Sequence, residues 1–265
     1  MSEAPQPDAA DEILFETDGA IATATLNRPQ ARNALTFAMY ERLAEICRGM
    51  RVGGEVRALI ITGSGDRAFA AGTDISQFRA FRTEADAQAY EQNIERVLTA
   101  IETCAVPTIA AIAGACTGGG AGIAAACDLR IATKSLKFGY PIARTLGNCL
   151  SLENHARMAA LIGAGRVMDV IFTARLIEAE EAKAIGLVSE VVEDHAALMA
   201  RARELAALVA GYAPLTLAAT KEALRRIRQG RRDGADLIAS CYTSADFREG
   251  LEAFLAKRPP NWQGR

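Results

Sequence analysis

The chain has 265 residues, half of them apolar, which is enough for one domain with a sizeable core. Thirty basic and 32 acidic residues leave a net charge of −2, so neither nucleic acid nor an anionic membrane is expected as a partner. Six cysteines without a C-x-x-C pair, and two histidines without an H-E-x-x-H pattern, argue against a metal site and for buried, reduced thiols in a cytoplasmic protein.

Residues 1–10 are polar, carry Pro5 and Pro7, and read as a disordered tail that lacks the basic and apolar regions of a signal peptide. No apolar run reaches the roughly 18 residues of a membrane span. Strands over 13–17 and 20–26 flank Asp18-Gly19, a hairpin signal. Thr36 can cap a helix over 37–50, stopped by Gly53-Gly54. A buried strand over 57–62 leads into a loop over 63–72 and a helical turn over 74–81. Thr83 with Asp86 resembles a capping box for a long helix ending near Thr103. Residues 108–113 form a short apolar strand after Pro107, and 121–127 a helix too apolar to face water. Strands follow over 129–132 and 136–138, a helix over 150–162, a helix over 178–185 and a last strand over 187–192. Helices over 196–210, 214–228 and 235–256 complete the chain. This order predicts an α/β core over 11–195 and a helical region over 196–265. Arg225, Arg226, Arg228, Arg231 and Arg232 read either as a solvated helix end or as a phosphate-contacting patch.

Gly118, Gly119 and Gly120 stand between the strand and the apolar helix. Without Cβ atoms they let a ligand or another backbone approach closely, and the helix start leaves N–H groups unpaired at its positive end. A dinucleotide fingerprint would need glycine where Ile123 stands. A P-loop would need Lys-Ser/Thr where Ala121 and Gly122 stand, and G-x-S-x-G is absent here. Two readings remain: a tight helix–strand contact, or a backbone oxyanion hole that needs a second donor from elsewhere.

Five segments resemble the crotonase superfamily, the enoyl-CoA hydratase/isomerase family. They are Asn27-Arg28-Pro29 with Asn33-Ala34-Leu35; Gly63-x-Gly65 with Phe69-Ala70-Ala71-Gly72-Thr73-Asp74-Ile75; Ala113-Gly114 with Gly118-Gly119-Gly120 and Cys127-Asp128; Ala182-x-x-x-Gly186-Leu187-Val188; and Asp246-x-x-Glu249-Gly250-x-x-Ala253-Phe254-x-x-Lys257-Arg258. In order, they cover nearly the whole chain. The resemblance implies an α/β spiral of repeated ββα units, with C-terminal helices that assemble a homotrimer or a dimer of trimers. It implies a thioester carbonyl held by the N–H groups of Thr73 and Gly119. It also implies CoA contacts at Arg28, Ala31, Arg32, Ala34, Ala71, Asp74 and Ile75; Gly118, Pro141, Ile142 and Arg144 are further substrate-binding candidates. CoA enters as part of the substrate, with no separate cofactor.

The family's hydratases place glutamates two residues after the glycine run and after the proline of F-G-x-P. Here Gly122 and Ile142 stand there, with Ala143 as the other match at the second position. A family acid near the next helix start would fall at Ser151. Helical phase puts Ser151 and Asn154 on the buried side and Glu153 and His155 on its flanks, so Glu153 and His155 are the acid/base candidates. Ile142, Ala143, Leu146 and Ser151 are expected to line the acyl pocket, and Arg144 to meet any second carboxylate on the substrate. Three functions compete. One is an acyl-CoA enzyme that stabilises an enolate, as an isomerase, hydratase-like lyase or decarboxylase. The second is a non-catalytic acyl-CoA-binding protein. The third, an NAD-dependent enzyme, is disfavoured by Ile123 and by an Asp128 too close to the glycines.

Overall fold

The structure, a computed structural model, describes residues 12–265, and the expected tail over 1–10 lies outside them. The chain opens with an antiparallel hairpin, β1 (Ile13–Asp18) and β2 (Ile21–Leu26), whose register closes on a two-residue turn between Asp18 and Ile21. Thr36 then caps α1 (Phe37–Gly49), its side chain accepting from the Met39 N–H at 3.2 Å. Three strand–strand–helix units follow. β3 (Ala58–Gly63) and β4 (Ala68–Ala70) lead to α2 (Glu84–Glu102). β5 (Thr108–Ile112) and β6 (Ala115–Thr117) lead to α3 (Gly119–Ala126), and β7 (Leu129–Thr133) and β8 (Lys137–Gly139) to the short α4 (Ile142–Thr145).

Each unit gives its first strand to a six-stranded sheet and its second to a four-stranded one. The larger sheet runs β1-β2-β3-β5-β7-β10, with β10 at Glu190–Val192, and the smaller runs β4-β6-β8-β9, with β9 at Ile177–Glu178. Pairing between units is parallel. Successive units therefore advance as a spiral. Strands β3 and β5 are apolar without alternation because both faces are covered: every residue in them is buried. One cover is α8 (His195–Ala210), whose Leu198, Ala202 and Ala206 pack on Ala58, Ile60, Ile109, Ala111 and Ile131. The expected boundary at 195/196 thus falls at the start of a helix that closes the core. Cys47, Cys104, Cys116 and Cys127 are buried, and Cys149 is exposed. Among the described residues no helix is long and apolar enough to cross a membrane.

Several expectations need correction. The loop expected over 63–72 contains β4, and β6 also went unpredicted; three-residue strands carry too little periodicity to stand out. Beyond α5 (Leu152–Ile162), a further helix, α6 (Ala164–Thr173), follows directly at Gly163. After α7 (Ala179–Ala184) and α9 (Pro214–Arg228), the helix expected over 235–256 is two. They are α10 (Ala235–Tyr242) and α11 (Ala245–Leu255), separated where the Ser244 hydroxyl accepts from the Phe247 N–H at 2.9 Å. Four of the five arginines in the cluster pair with carboxylates. Arg225 and Arg226 pair with Glu222, Arg228 with Glu102 and Arg231 with Asp233, which favours the helix-end reading.

A buried ion network ties α2, α5 and α9 together. The Arg157 side chain is 1% exposed and donates to Glu95 at 2.8 Å and to Glu102 at 3.0 Å. Arg228 donates to the same Glu102 at 2.8 Å. Burial alone would raise the Glu102 carboxyl, but Arg157 and Arg228 hold it below its ordinary value of 4.5. Its contribution to stability is complete above that value and is lost as pH falls through the lowered folded-state value. Glu102→Gln leaves Arg157 and Arg228 undercompensated and should cost about 3 kcal/mol. Urea midpoints measured between neutral and acid pH should show the difference from wild type shrinking as pH falls.

Candidate active site

Two loops are laced together beside the sheets. The Ala71 N–H donates to the Arg32 carbonyl at 3.0 Å, Leu35 to Gly72 at 2.8 Å and Asp74 to Leu35 at 2.8 Å. Asn33, 1% exposed, holds the corner: its amide donates to the carbonyls of Ala68 (2.7 Å) and Ser64 (3.1 Å) and accepts from the Arg28 N–H (3.0 Å). Arg28 spans the loops, donating to the Ala34 carbonyl at 2.6 Å and to Asp74 at 3.1 Å, with Glu12 3.1 Å away. Asp74 is held below the ordinary carboxylate range, first by the Ser76 hydroxyl and further by Arg28. These contacts fix the position of Thr73.

The glycine run meets this loop from the other side. Gly118 has φ +53°, a conformation that favours glycine, and its N–H donates to the Gly139 carbonyl at 3.0 Å. A Cβ on Gly119 would lie 1.8 Å from the Tyr40 hydroxyl and 3.1 Å from Thr73 Oγ1; one on Gly120 would lie 2.4 Å from the Ala70 carbonyl oxygen. Glycine at these two positions is therefore what lets α3 start against Thr73. Among the described residues no acceptor takes the Thr73 or the Gly119 N–H, although the flanking Asp74 and Gly118 amides are both bonded. Two backbone donors are left free side by side, one at the positive end of a helix.

They border a cavity of about 290 Å³. Of the residues named from the sequence, Ala71, Thr73, Ile75, Gly118, Gly119, Pro141, Ile142 and Leu146 line it. Arg28, Ala31, Arg32, Ala34, Asp74, Ala143, Arg144 and Ser151 do not. Glu153 and His155 are also off the lining: His155 Nδ1 lies 2.9 Å from the Ser151 carbonyl in its own helix. Asn154 takes the inward position instead, and its Oδ1 stands 3.8 Å from where a Gly122 Cβ would be.

Sequence reasoning missed the residues beneath the donors. Thr73 Oγ1 shares hydrogen bonds with the hydroxyls of Tyr40 (2.9 Å) and Tyr90 (3.0 Å). Burial, and then the neighbouring Tyr90, pushes Tyr40 well above the ordinary phenol value, while burial pushes Tyr90 up to about 12. Phe78 packs edge-on against Tyr90 with ring centroids 4.8 Å apart. Beside Tyr90, Glu91 also lines the cavity, above Ile94 and Leu98 on the same face of α2. A carboxylate in phase with that apolar stripe was the available signal.

An α/β spiral with two free backbone donors beside a largely apolar cavity is the class of protein that this geometry defines. The family model described as enoyl-CoA hydratase/isomerase matches residues 16–265. A short-chain-enoyl-CoA hydratase of Clostridium acetobutylicum is 34% identical over 253 residues, covering 94% of this chain and 96% of the relative. A crotonyl-CoA hydratase of Syntrophomonas wolfei is 33% identical, covering 96% and 98%. The solved structure of an enoyl-CoA hydratase/carnithine racemase from Magnetospirillum magneticum superposes with a TM-score of 0.87 at 34% identity, covering 96% of both chains. That of an enoyl-CoA hydratase from Bacillus anthracis gives 0.84 at 32% identity, covering 96% of this chain and all of the other. The chain belongs to the enoyl-CoA hydratase/isomerase family of the crotonase superfamily.

The contact at Gly119 makes a specific prediction. Gly119→Ala should cost about 1–3 kcal/mol, because the methyl group meets a rigid, buried phenol. Tyr40→Phe removes the nearest atom and leaves the ring carbon Cζ at 3.1 Å, so Gly119→Ala should cost less in that background. Denaturation of both single variants and the double variant measures the coupling, and additive costs would contradict the contact.

Proposed function

We propose that this protein binds an acyl-CoA thioester and stabilises its enolate, with the thioester oxygen on the N–H groups of Thr73 and Gly119. The observation that carries the reading is the pair of unsatisfied donors at the cavity wall. A thioester carbonyl gains negative charge as an enolate forms, and one preorganised donor is worth about 3–4 kcal/mol in comparable sites. The rim of Ala71 and Ile75 would carry the CoA side of the ligand, and Pro141, Ile142 and Leu146 the acyl side.

The relatives named hydratases do not make hydration the best reading here. Gly122 and Ile142 supply no proton carrier at the two positions where the family's hydratases hold glutamate. General acid–base catalysis contributes about 10²–10⁴-fold, so crotonyl-CoA hydration should be slow by that order. A decarboxylase variant also loses support, because no Lys, Arg or His lies among the described residues lining the cavity. The proposed chemistry is proton transfer at the carbon next to the thioester.

Calorimetric titration with acetyl-CoA, together with thermal melting, should show binding and a raised midpoint. Crotonyl-CoA hydration by the same preparation should be negligible. No heat and no melting shift at millimolar ligand would remove the acyl-CoA reading, and rapid hydration would show that a catalytic acid has been misplaced.

We also propose a homotrimer or a dimer of trimers. Ile238, Phe247, Leu251, Phe254 and Leu255 are exposed on α10 and α11, from 44% at Phe247 to 82% at Phe254. Sedimentation at micromolar concentration should give three or six chains, and a monomer would contradict the assignment.

A further inference from the structure

We propose that Glu91 removes and returns the proton at the α-carbon of the bound thioester. This rests on the enolate reading above and identifies the group that reading leaves unnamed. Three observations converge on it. First, among the described residues lining the cavity, Glu91 is the one carboxylate. The other ionisable side chains there, Tyr90 and Tyr140, both have phenols raised above their ordinary value by burial. Second, Glu91 has no cation beside it and no hydrogen-bond partner among the described residues, so its oxygens are available to a ligand. Glu95, one turn further along α2, is engaged by Arg157. Third, α2 places Glu91 directly after Tyr90, whose hydroxyl is 3.0 Å from Thr73 Oγ1. Glu91, Thr73 and Gly119 all line the same cavity.

Electrostatics suits the role. Burial, and then the Glu95 charge, raises the Glu91 carboxyl above its ordinary value of 4.5, which makes it a stronger base than a solvated glutamate. The step balances without a co-reactant. The Glu91 carboxylate takes the α-proton, and the C–H electron pair moves into a Cα–C double bond as the thioester oxygen becomes negative on the Thr73 and Gly119 amides. The new carboxylic acid returns the proton to Cα. In a β,γ-unsaturated chain it delivers the proton to the γ-carbon instead, and the double bond moves into conjugation. One carboxyl group suffices because no water is added. The substrate class is therefore an acyl-CoA with an acidic α-proton, and a 3-enoyl-CoA in particular.

The test uses the full chain in deuterium oxide. Mass spectrometry follows α-deuterium incorporation into butyryl-CoA, and absorbance follows conversion of 3-hexenoyl-CoA to the conjugated thioester. Wild type should do both. Glu91→Gln should lose about 100-fold or more in each, while its butyryl-CoA isotherm stays within threefold of wild type. If Glu91→Gln does not fold, Glu91→Asp carries the test, and it should slow both reactions with binding retained. Wild-type exchange that survives in these variants, or that is lost in Glu153→Gln or His155→Gln instead, overturns the Glu91 assignment and leaves the enolate reading standing. A wild type that binds butyryl-CoA but neither exchanges nor isomerises overturns both.

Discussion

The site depends on a missing Cβ. At Gly119 the backbone of α3 starts where a methyl group would sit on the Tyr40 hydroxyl, and at Gly120 where one would sit on the Ala70 carbonyl. Only glycine lets the helix start this close to the β4 loop. Once it does, the positive end of the helix and the Thr73 amide come together without any side chain between them. The buried strands β3 and β5 hold the rest of the assembly in register. Any displacement of α3 would therefore disturb the donors and the Tyr40–Thr73 hydrogen bond together.

Helix α2 is the other element on which the site relies. One stretch of it presents Tyr90 and Glu91 to the cavity, and the next turns present Glu95 and Glu102 to Arg157. The ion network thus anchors the helix that carries the candidate base. Arg157 is committed to Glu95 and Glu102, and no guanidinium lowers Glu91. Arg157 also donates to the Asn154 amide oxygen at 3.5 Å from the same face of α5. The raised Glu91 carboxyl itself comes first from burial and then from the Glu95 charge.

Much of the fold could be read from the sequence, because local rules set it. The hairpin turn, the Thr36 cap, the Thr83–Asp86 capping box and the start of α9 at Pro214 all lie within a few residues of their cause. The recognised motifs are largely structural, too. Asn33 staples two loops, and Asp128 receives Thr108 at 2.7 Å and Lys221. Asp246 accepts from the Gln263 and Gly264 amides at 2.7 and 2.8 Å, and Gly250 leaves room for the Trp262 ring. That Thr73 and Gly119 border the cavity was legible through the same motifs. The rest was not legible, because it depends on which distant segments meet. Helical phase sets Glu91 with Ile94 and Leu98, but it does not say that the cavity Glu91 borders is the one that Gly119 also lines. The phase of α5 correctly set Asn154 inward, but helical phase alone cannot say that Glu153 and His155 stay off the cavity.

The two family positions without glutamate bear on the chemistry in different ways. At Ile142, 8% exposed, an apolar side chain closes the cavity, so a water there would meet no acceptor from that wall. At Gly122 the space beside the missing side chain is already bounded by Leu98 at 3.4 Å and by the Asn154 amide at 3.8 Å. A hydratase must hold a water and move protons on both sides of it, which calls for two acid/base groups. A proton shift along the acyl chain needs neither the water nor the second group. A largely apolar cavity with one carboxylate and two free amides suits the proposed proton shift better than it suits hydration. The reading turns on what stands at four positions, Glu91, Gly119, Gly122 and Ile142, rather than on the names of the chain's relatives.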